Sequence, residues 1–440
     1  MHIEKELPQT YQFHFPAIID TVFYDGKIIV IAREEGCWIV LDNKAQLLFF
    51  QNLGKMPLGK AIENSPCTRE DTQHVVTQLV ARHFESPVKY QTLTPVMQLY
   101  LTNACNMSCP HCYMFAGHAE KNELNTDEIL QLLRSYANNG GVDVKLTGGE
   151  IALRHDLLDI VKYGYEIGLN MELLTNGTLW DEQQVKDVAP FIKVVQISID
   201  GYDEESNAKV RGKGNFSKAL RAIELFAHTG VKVNVAMTAY YSSELSKHLD
   251  DYADFAQNIK KKYKDYDVNV AIATGLLPGR YGELSAKQAE EYSAITQNIY
   301  SRMMGCQSFV EHGFIERHKA GVVLDNCSYG YPSVASNGDV YMCPIITATK
   351  PVTNIREKSL QEVMDICHHA HQLSRTKNLA PCNQCELKAI CCGDCRISYF
   401  PDLRRSDIRN VNTALRSNCS PNIKHQFYKL MIETNTKVFH

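Results

Sequence analysis

Two periodicities alternate along the middle of the chain. Short apolar runs at residues 97–101, 142–147, 171–175, 194–199, 231–238 and 268–273 have the length and β-branched content of buried strands. Between and after them, residues 126–138, 155–167, 181–188, 216–229, 244–259 and 286–303 repeat apolar positions at helical spacing. Asn125 or Thr126 caps the first of these helices, and Gly140-Gly141 stops it. Strand–helix alternation sustained over about 200 residues implies a parallel sheet. The expected fold is α/β, a partial (β/α)6 barrel of the TIM type, open rather than closed with eight strands. In such sheets a ligand sits at the carboxyl ends of the strands.

The flanks read differently. Residues 21–31 form a hairpin pattern around Asp25-Gly26, a pair that supplies the positive φ angles of a type I′ turn. Residues 37–41 are a third strand, and helices follow at 44–53 and 69–83, the second capped by Thr68. Residues 87–100 are a linker leading into the first barrel strand. After residue 304 the alternation is lost. Residues 305–440 carry ten of the fifteen cysteines among Gly and Pro signals and read as a loop-rich region held by metal rather than by a large core. Three units result: 1–90, a small α+β domain; 91–304, the barrel; and 305–440.

Composition narrows the function classes. A length of 440 residues, 44% hydrophobic and 22% charged, is that of an ordinary soluble protein. A net charge of −4 gives no basic footprint for nucleic acid. No apolar run approaches the roughly 20 residues that span a bilayer, and the first 30 residues lack a signal-peptide pattern. The expectation is a cytoplasmic protein. In a reducing compartment, fifteen cysteines point to metal or redox chemistry rather than disulfides.

Three of those cysteines, Cys105, Cys109 and Cys112, follow the first barrel strand with spacing C-x3-C-x2-C. So tight a loop aims three thiolates at one small object, a zinc ion or an iron–sulfur cluster. No fourth Cys or His completes a standard zinc spacing. Three cysteines suffice for a [4Fe–4S] cube with one iron open. Further motifs end the following strands: Thr147-Gly148-Gly149-Glu150, Thr175-Asn176-Gly177 and Ser198-Ile-Asp200-Gly201. Downstream stand Cys327-x10-Gly338-x4-Cys343, then Cys382-x2-Cys385-x5-Cys391-x3-Cys395, then Cys419. Four thiolates of this second set are also a possible zinc site. The run Cys367-His368-His369-Ala-His371 lies in a polar helical stretch and reads as a solvated face.

The Cys105–Tyr113 stretch resembles the signature of the radical S-adenosylmethionine (SAM) superfamily. His111 stands where that family usually has an aromatic residue, a variant common among its peptide-modifying members. The resemblance implies a [4Fe–4S] cluster on the three thiolates, with SAM chelating the open iron and cleaved to a 5′-deoxyadenosyl radical. It implies SAM contacts for Tyr113, for Gly148, Gly149 and Glu150 at the amine, for Asn176 at the ribose or backbone, for Ser198 and Asp200 at the ribose and carboxylate, and for Arg211 at the carboxylate. Pro278-Gly279-Arg280 would close the adenine side. The later cysteines resemble the seven-cysteine SPASM domain. By that resemblance, Cys382, Cys385, Cys391 and Cys419 hold one auxiliary [4Fe–4S] cluster completely. Cys327, Cys343 and Cys395 hold three corners of a second. Fully ligated relatives have a fourth cysteine shortly before the first of these, and residues 319–326 contain none. Either Cys306 loops back, or the iron is open and binds a substrate thiolate.

Three strands followed by helices, ahead of such a region, resemble the PqqD-like, winged-helix recognition domain of peptide-modifying enzymes. Those domains grip a leader peptide by adding it as a strand to an open sheet edge. The combined resemblance implies an enzyme acting on a ribosomally made precursor peptide, with electrons from a donor such as flavodoxin or ferredoxin. Hydrogen abstraction followed by thioether cross-linking is the reaction expected first. Carbon–carbon or carbon–oxygen cyclisation comes second, and small products built from a peptide, as in pyrroloquinoline quinone synthesis, remain open. Formylglycine formation in a sulfatase is weakened by Pro344, where those relatives place an acidic base. A non-enzymatic zinc or cluster scaffold or sensor is the alternative from another class. No residue stands out as a general base.

Overall fold

Residues 19–41 pair as an antiparallel sheet of β1 (Ile19–Tyr24), β2 (Lys27–Ala32) and β3 (Cys37–Leu41). The computed structural model behind this description covers residues 7–86, 89–90, 95–305, 322–323, 325–400, 419 and 421–439. Asp25 and Gly26 make the β1–β2 turn with φ of 49° and 71°, as their sequence predicts. Helices α1 (Lys44–Leu53), α2 (Leu58–Glu63) and α3 (Arg69–Ala81) follow. Helix α2 was not expected, because six residues are too few to display a helical period. The strands alternate between two cores. Ile28, Val30, Ile39 and Leu41 pack with Phe49, Phe50 and Leu79 of the helices. Ile29, Ile31, Trp38 and Val40 face the other way, onto Tyr428 and Met431 of the final helix, Pro421–Phe439.

The two edges of this sheet differ. Gln78 of α3, fully buried, donates its amide to the Val40 carbonyl at 2.8 Å and accepts the Val40 N–H at 2.9 Å. One side chain thus closes the outer edge of β3 as a neighbouring strand would. No strand pairs with the outer edge of β1 among the described residues. Arg33 N–H bonds the Ile18 carbonyl, so the antiparallel alternation leaves the backbone groups of Ile19, Thr21 and Phe23 aimed outward. Phe23 is 64% exposed.

A short strand β4 (Lys89–Tyr90) precedes the barrel strands β5 (Val96–Tyr100), β6 (Asp143–Thr147), β7 (Asn170–Thr175), β8 (Val194–Ser198), β9 (Lys232–Met237) and β10 (Val268–Ile272). These six are parallel and adjacent in chain order, the partial barrel expected. They are crossed by α4 (Thr126–Asn138), α5 (Leu157–Glu166), α6 (Glu182–Val188), α7 (Glu204–Arg211), α8 (Asn215–Ala227) and α9 (Leu249–Lys262), with α10 (Ala286–Met304) following. Helix α4 shows why they form. An Asn125–Glu128 capping box starts it, and Ile129, Leu132, Leu133 and Tyr136 present one buried face to the sheet. Helix α7 was missed because only Ala208 and Val210 of its eight residues are apolar; a capping box of Asp203 and Ser206 nucleates it.

Beyond the barrel, β11 (Val322–Val323) pairs with β4, while β12 (Ser333–Val334), β13 (Asp339–Tyr341) and β14 (Thr353–Asn354) extend the main sheet. Strand β12 pairs parallel to β5, so the nine strands run β10-β9-β8-β7-β6-β5-β12-β13-β14. This corrects the expectation that residues 305–440 are held by metal rather than by a large core. Tyr329, Val334, Val340, Met342, Leu360 and Val363 join the same apolar core as the barrel. No described helix is long and apolar enough to cross a membrane.

Replacing Gln78 by Leu strands the buried N–H and C=O of Val40. We predict that it lowers the opening free energy at β3 by about 2 kcal/mol, read as roughly 30-fold faster amide exchange at Val40.

Candidate active site

The cysteine loop leaves the carboxyl end of β5 and is fastened from every side. Gly149 N–H bonds the Thr102 carbonyl at 2.8 Å and Glu150 N–H bonds the Ala104 carbonyl at 2.7 Å. A Cβ on Gly148 would lie 2.4 Å from the Thr102 oxygen, and one on Gly149 only 2.1 Å from the Ala104 oxygen. These glycines were read as admitting a ligand. They line the cavity, but what demands their missing side chains is the backbone of the cysteine loop. Glu123 accepts from Asn103 N–H and the Thr102 hydroxyl, at 2.6 and 2.9 Å. Arg154 donates to the Leu101 and Leu124 carbonyls and is itself held bidentate by buried Asp156, whose pKa that pair pulls down to about 2 against the cost of burial.

Pro278-Gly279-Arg280 also differs from expectation. Arg280 donates to the carbonyls of Cys109 and Ala116, and Tyr281 N–H bonds the Pro110 carbonyl. A Cβ on Gly279 would meet the His111 backbone at 2.7 Å. The segment after β10 therefore straps the cysteine loop.

A cavity of about 340 Å³ opens at the strand ends. Cys105, Cys109, Cys112, Tyr113, Gly148, Gly149, Asn176, Ser198 and Arg211 all line it, joined by His111, Met114, Thr175, Gln196 and Leu276. Its size is that of a small-molecule site. Two expected contacts stand behind the wall instead. The Glu150 carboxylate, 1% exposed, accepts from the Thr175 hydroxyl and from Ala152 and Asn176 N–H at 2.6, 3.0 and 2.7 Å. Burial raises its pKa against these three donors. Asp200, fully buried, accepts Thr238 N–H at 2.8 Å through Oδ1. Its Oδ2 lies 2.6 Å from Arg211 Nε, at ion-pair distance but off the hydrogen-bond angle, and 3.4 Å from His111 Nε2. Burial alone would lower the Arg211 pKa; Asp200 and the nearby thiols outweigh it. Arg211 thus faces the cavity as a fixed cation with its counter-charge behind it. Val210, also on α7, packs against Met107 and Cys109.

Two further cysteine groups lie in the region after the barrel. Cys382, Cys385, Cys391 and Cys419 line one cavity of about 220 Å³, together with Lys388, Lys424 and Phe427. Among the described residues no three Cys, His, Asp or Glu side chains are close enough to hold a single metal ion. Four thiols around a space this size suit a cluster better than a zinc ion, whose sulfur ligands close to about 2.3 Å from the metal. Cys343 is buried, and Cys327 and Cys395 pack into the same core around it. Burial pushes the Cys343 thiol up to about 12. Cys306 lies outside the described residues. Cys392, beside Cys391 with φ of 59°, does not line the 220 Å³ cavity. In the Cys367–His371 run, Cys367 is buried, His368 and His369 are exposed, and His371 bonds the Tyr329 carbonyl, so they converge on nothing.

Sequence reasoning missed the groups that tie these sites together. Arg396, fully buried, donates to the carbonyls of Asp325, Ser374, Cys392 and Asp394, which gathers the loops of both later cysteine groups. The Tyr100 hydroxyl, on the last residue of β5, bonds the Pro344 carbonyl next to Cys343 and lies 3.0 Å from the Tyr113 hydroxyl next to Cys112.

Residues 99–256 match the Radical SAM superfamily. Among curated proteins, the chain is 27% identical over 273 residues to the sporulation killing factor maturation protein SkfB of Bacillus subtilis (strain 168), covering 60% of this chain and 63% of that protein. It is 37% identical over 147 residues to the Fe-coproporphyrin III synthase of Methanosarcina barkeri (strain Fusaro / DSM 804), 33% of this chain and 37% of that one. The match therefore spans less than two thirds of either relative. Among solved structures, native anSMEcpe with bound AdoMet and Cp18Cys peptide superposes with a TM-score of 0.54 at 21% identity, over 78% of this chain and 98% of that one. At that identity the likeness is one of fold.

A methyl group at Gly149 has no room beside Ala104. We predict that Gly149→Ala, reconstituted anaerobically, loses the iron held at the Cys105–Cys112 loop and keeps any held elsewhere. Iron analysis and electron paramagnetic resonance (EPR) check this; full iron content would show that the loop tolerates the substitution.

Proposed function

The chain belongs to the radical SAM superfamily, and on that premise we propose that it modifies a ribosomally made precursor peptide. The observation that carries the reading is the 340 Å³ cavity at the strand ends, lined by Cys105, Cys109 and Cys112 together with Asn176, Ser198 and Arg211. When bound there, a [4Fe–4S] cluster and SAM supply a carbon radical able to take hydrogen from an unactivated carbon. The chain's own groups do the rest. The cysteine thiolates hold the cluster. Arg211, paired to Asp200, presents a positive charge to a carboxylate. Ser198 offers a hydroxyl to a ribose, and Asn176, whose amide already bonds Asn106 and Thr178, has one side-chain N–H left to add. Glu150 acts by holding Thr175 and Asn176 in place rather than by touching the ligand. Met114 and Leu276 turn apolar surface to the cavity and limit water.

For the substrate, the maturation activity in the name of SkfB and the peptide in the anSMEcpe structure support a peptide over a porphyrin. Residues 1–90 are the recognition unit in this reading, and the outer edge of β1 is where a leader strand adds, since Gln78 already occupies β3. Thioether formation is the reaction we place first. Cys327, Cys343 and Cys395 supply three corners of one auxiliary cluster, and an iron without a fourth protein thiolate there would hold a substrate cysteine. Cys306→Ala decides the point by iron count: unchanged iron favours the open site, and partial loss of one cluster assigns Cys306 as the ligand. Carbon–carbon or carbon–oxygen cyclisation is the second reaction, and a flavodoxin or ferredoxin is the electron donor we expect.

With dithionite and SAM, the anaerobically reconstituted protein is expected to release 5′-deoxyadenosine. Changing Cys105, Cys109 and Cys112 together to Ala should abolish the release and leave the auxiliary iron. Intact clusters with no release would overturn the enzyme reading. Separately, Thr21→Pro removes an outward N–H from β1 without touching the β1–β2 ladder. It should weaken binding of the cognate leader peptide at least tenfold by fluorescence anisotropy, and unchanged binding would move the leader elsewhere.

A further inference from the structure

The lining of the 220 Å³ cavity of Cys382, Cys385, Cys391 and Cys419 is backed by the other end of the chain. Ile29, Ile31, Trp38 and Val40 of the N-terminal sheet pack against Leu387 and Ile390, with Cys385 and Cys391 at the margin of the same apolar cluster. The β2–β3 turn is pressed against the helix Lys388–Cys391. At Gly36, with φ of 66°, a Cβ would lie 3.1 Å from the Ala389 carbonyl oxygen. Two lysines line the cavity, and they are held differently. Lys424 is held within the site, 2.8 Å from each carboxylate oxygen of Glu386. Lys388, with a side chain only 10% exposed, takes its counter-charge from the N-terminal unit: its Nζ lies 2.5 Å from Glu34 Oε1.

We infer that the Glu34–Lys388 pair makes the N-terminal unit part of the redox site and sets the reduction potential of the cluster held by Cys382, Cys385, Cys391 and Cys419. The inference rests on the reading of those four thiols as a cluster site. Reduction adds a negative charge to a centre already ligated by four thiolates. A nearby cation favours the reduced form, and local charge is one of the main levers on such potentials. Glu34, 39% exposed, cancels part of the charge of the largely buried Lys388 across the boundary between the two units. Lys388 and Glu34 are positioning residues, since neither needs to touch the cluster. Anything that moves the β2–β3 turn also moves the counter-charge of Lys388.

The test is an EPR-monitored redox titration of the full-length, anaerobically reconstituted protein. The signal of this site is the one altered by Cys419→Ser. Lys388→Met, which keeps the side chain's length and removes its charge, should shift the potential down. Glu34→Gln, which keeps the shape and frees the cation, should shift it up. Lys388→Arg should restore it towards the wild-type value. Opposite shifts at equal iron content are not produced by a merely structural role. Equal potentials in all variants, shifts of the same sign, or loss of iron from Glu34→Gln would each overturn the inference. If Cys419→Ser changes neither iron content nor any EPR signal, the cluster reading itself is what fails.

Discussion

The pairing of β12 with β5 is the contact on which the arrangement of sites depends. Ser333 and Val334 lie beside Gln98 and Leu99, and Gln98 N–H bonds the Pro332 carbonyl at 3.0 Å. Strand β5 carries the Cys105–Cys112 loop at its carboxyl end. Strand β12 leads through β13 to Cys343. Because both strands lie in one sheet, a strand spacing of about 4.8 Å sets the offset between the segments that lead to the two cysteine groups. Tyr100 spans the remaining gap with one hydroxyl, reaching the Tyr113 hydroxyl and the Pro344 carbonyl. From there Arg396 gathers the loops of the next cysteine group, and Lys388 and Leu387 meet the N-terminal sheet.

Charge burial follows the same line. Asp200, Arg211, Arg396 and Glu150 are all withdrawn from water. An unpaired buried charge would cost several kcal/mol, so each is tolerated only because its partners are in place. Arg396 meets four carbonyls, Glu150 three donors, and Asp200 an arginine and a backbone amide. Glu150, Asp200 and Arg396 act on the sites at one remove, and the surface of the 340 Å³ cavity is left to residues such as the cysteines, Asn176, Ser198 and Arg211.

Much of this was legible in the sequence where the signal is local. The six barrel strands declared themselves by apolar runs, and Asp25-Gly26 by the turn chemistry its dipeptide demands. The four cysteines that share the 220 Å³ cavity were grouped by resemblance, and Cys419 joins them from 28 residues beyond Cys391. What failed was local pattern asked to report distant contacts. Gly148 and Gly149 signalled a close approach, but only the fold shows that the approaching atoms are Thr102 and Ala104. The Pro278-Gly279-Arg280 stretch is expected to close the adenine side, and its Arg280 is a strap on Cys109, 171 positions away. Arg396 and Gln78 carry no motif, because their value lies in carbonyls and amides that adjacency alone supplies. Helix α7 was invisible for the opposite reason, since its polar face leaves little apolar period to read.

In the proposed function each of the three cysteine groups, the first at the strand ends and two beyond, holds a cluster. Iron and sulfide analysis of the anaerobically reconstituted wild-type chain, with Mössbauer spectroscopy to fix the cluster type, tests this most directly. About twelve iron atoms per chain, all in [4Fe–4S] form, are expected. About four iron atoms, or zinc in place of iron at the Cys382–Cys419 group, would contradict this reading.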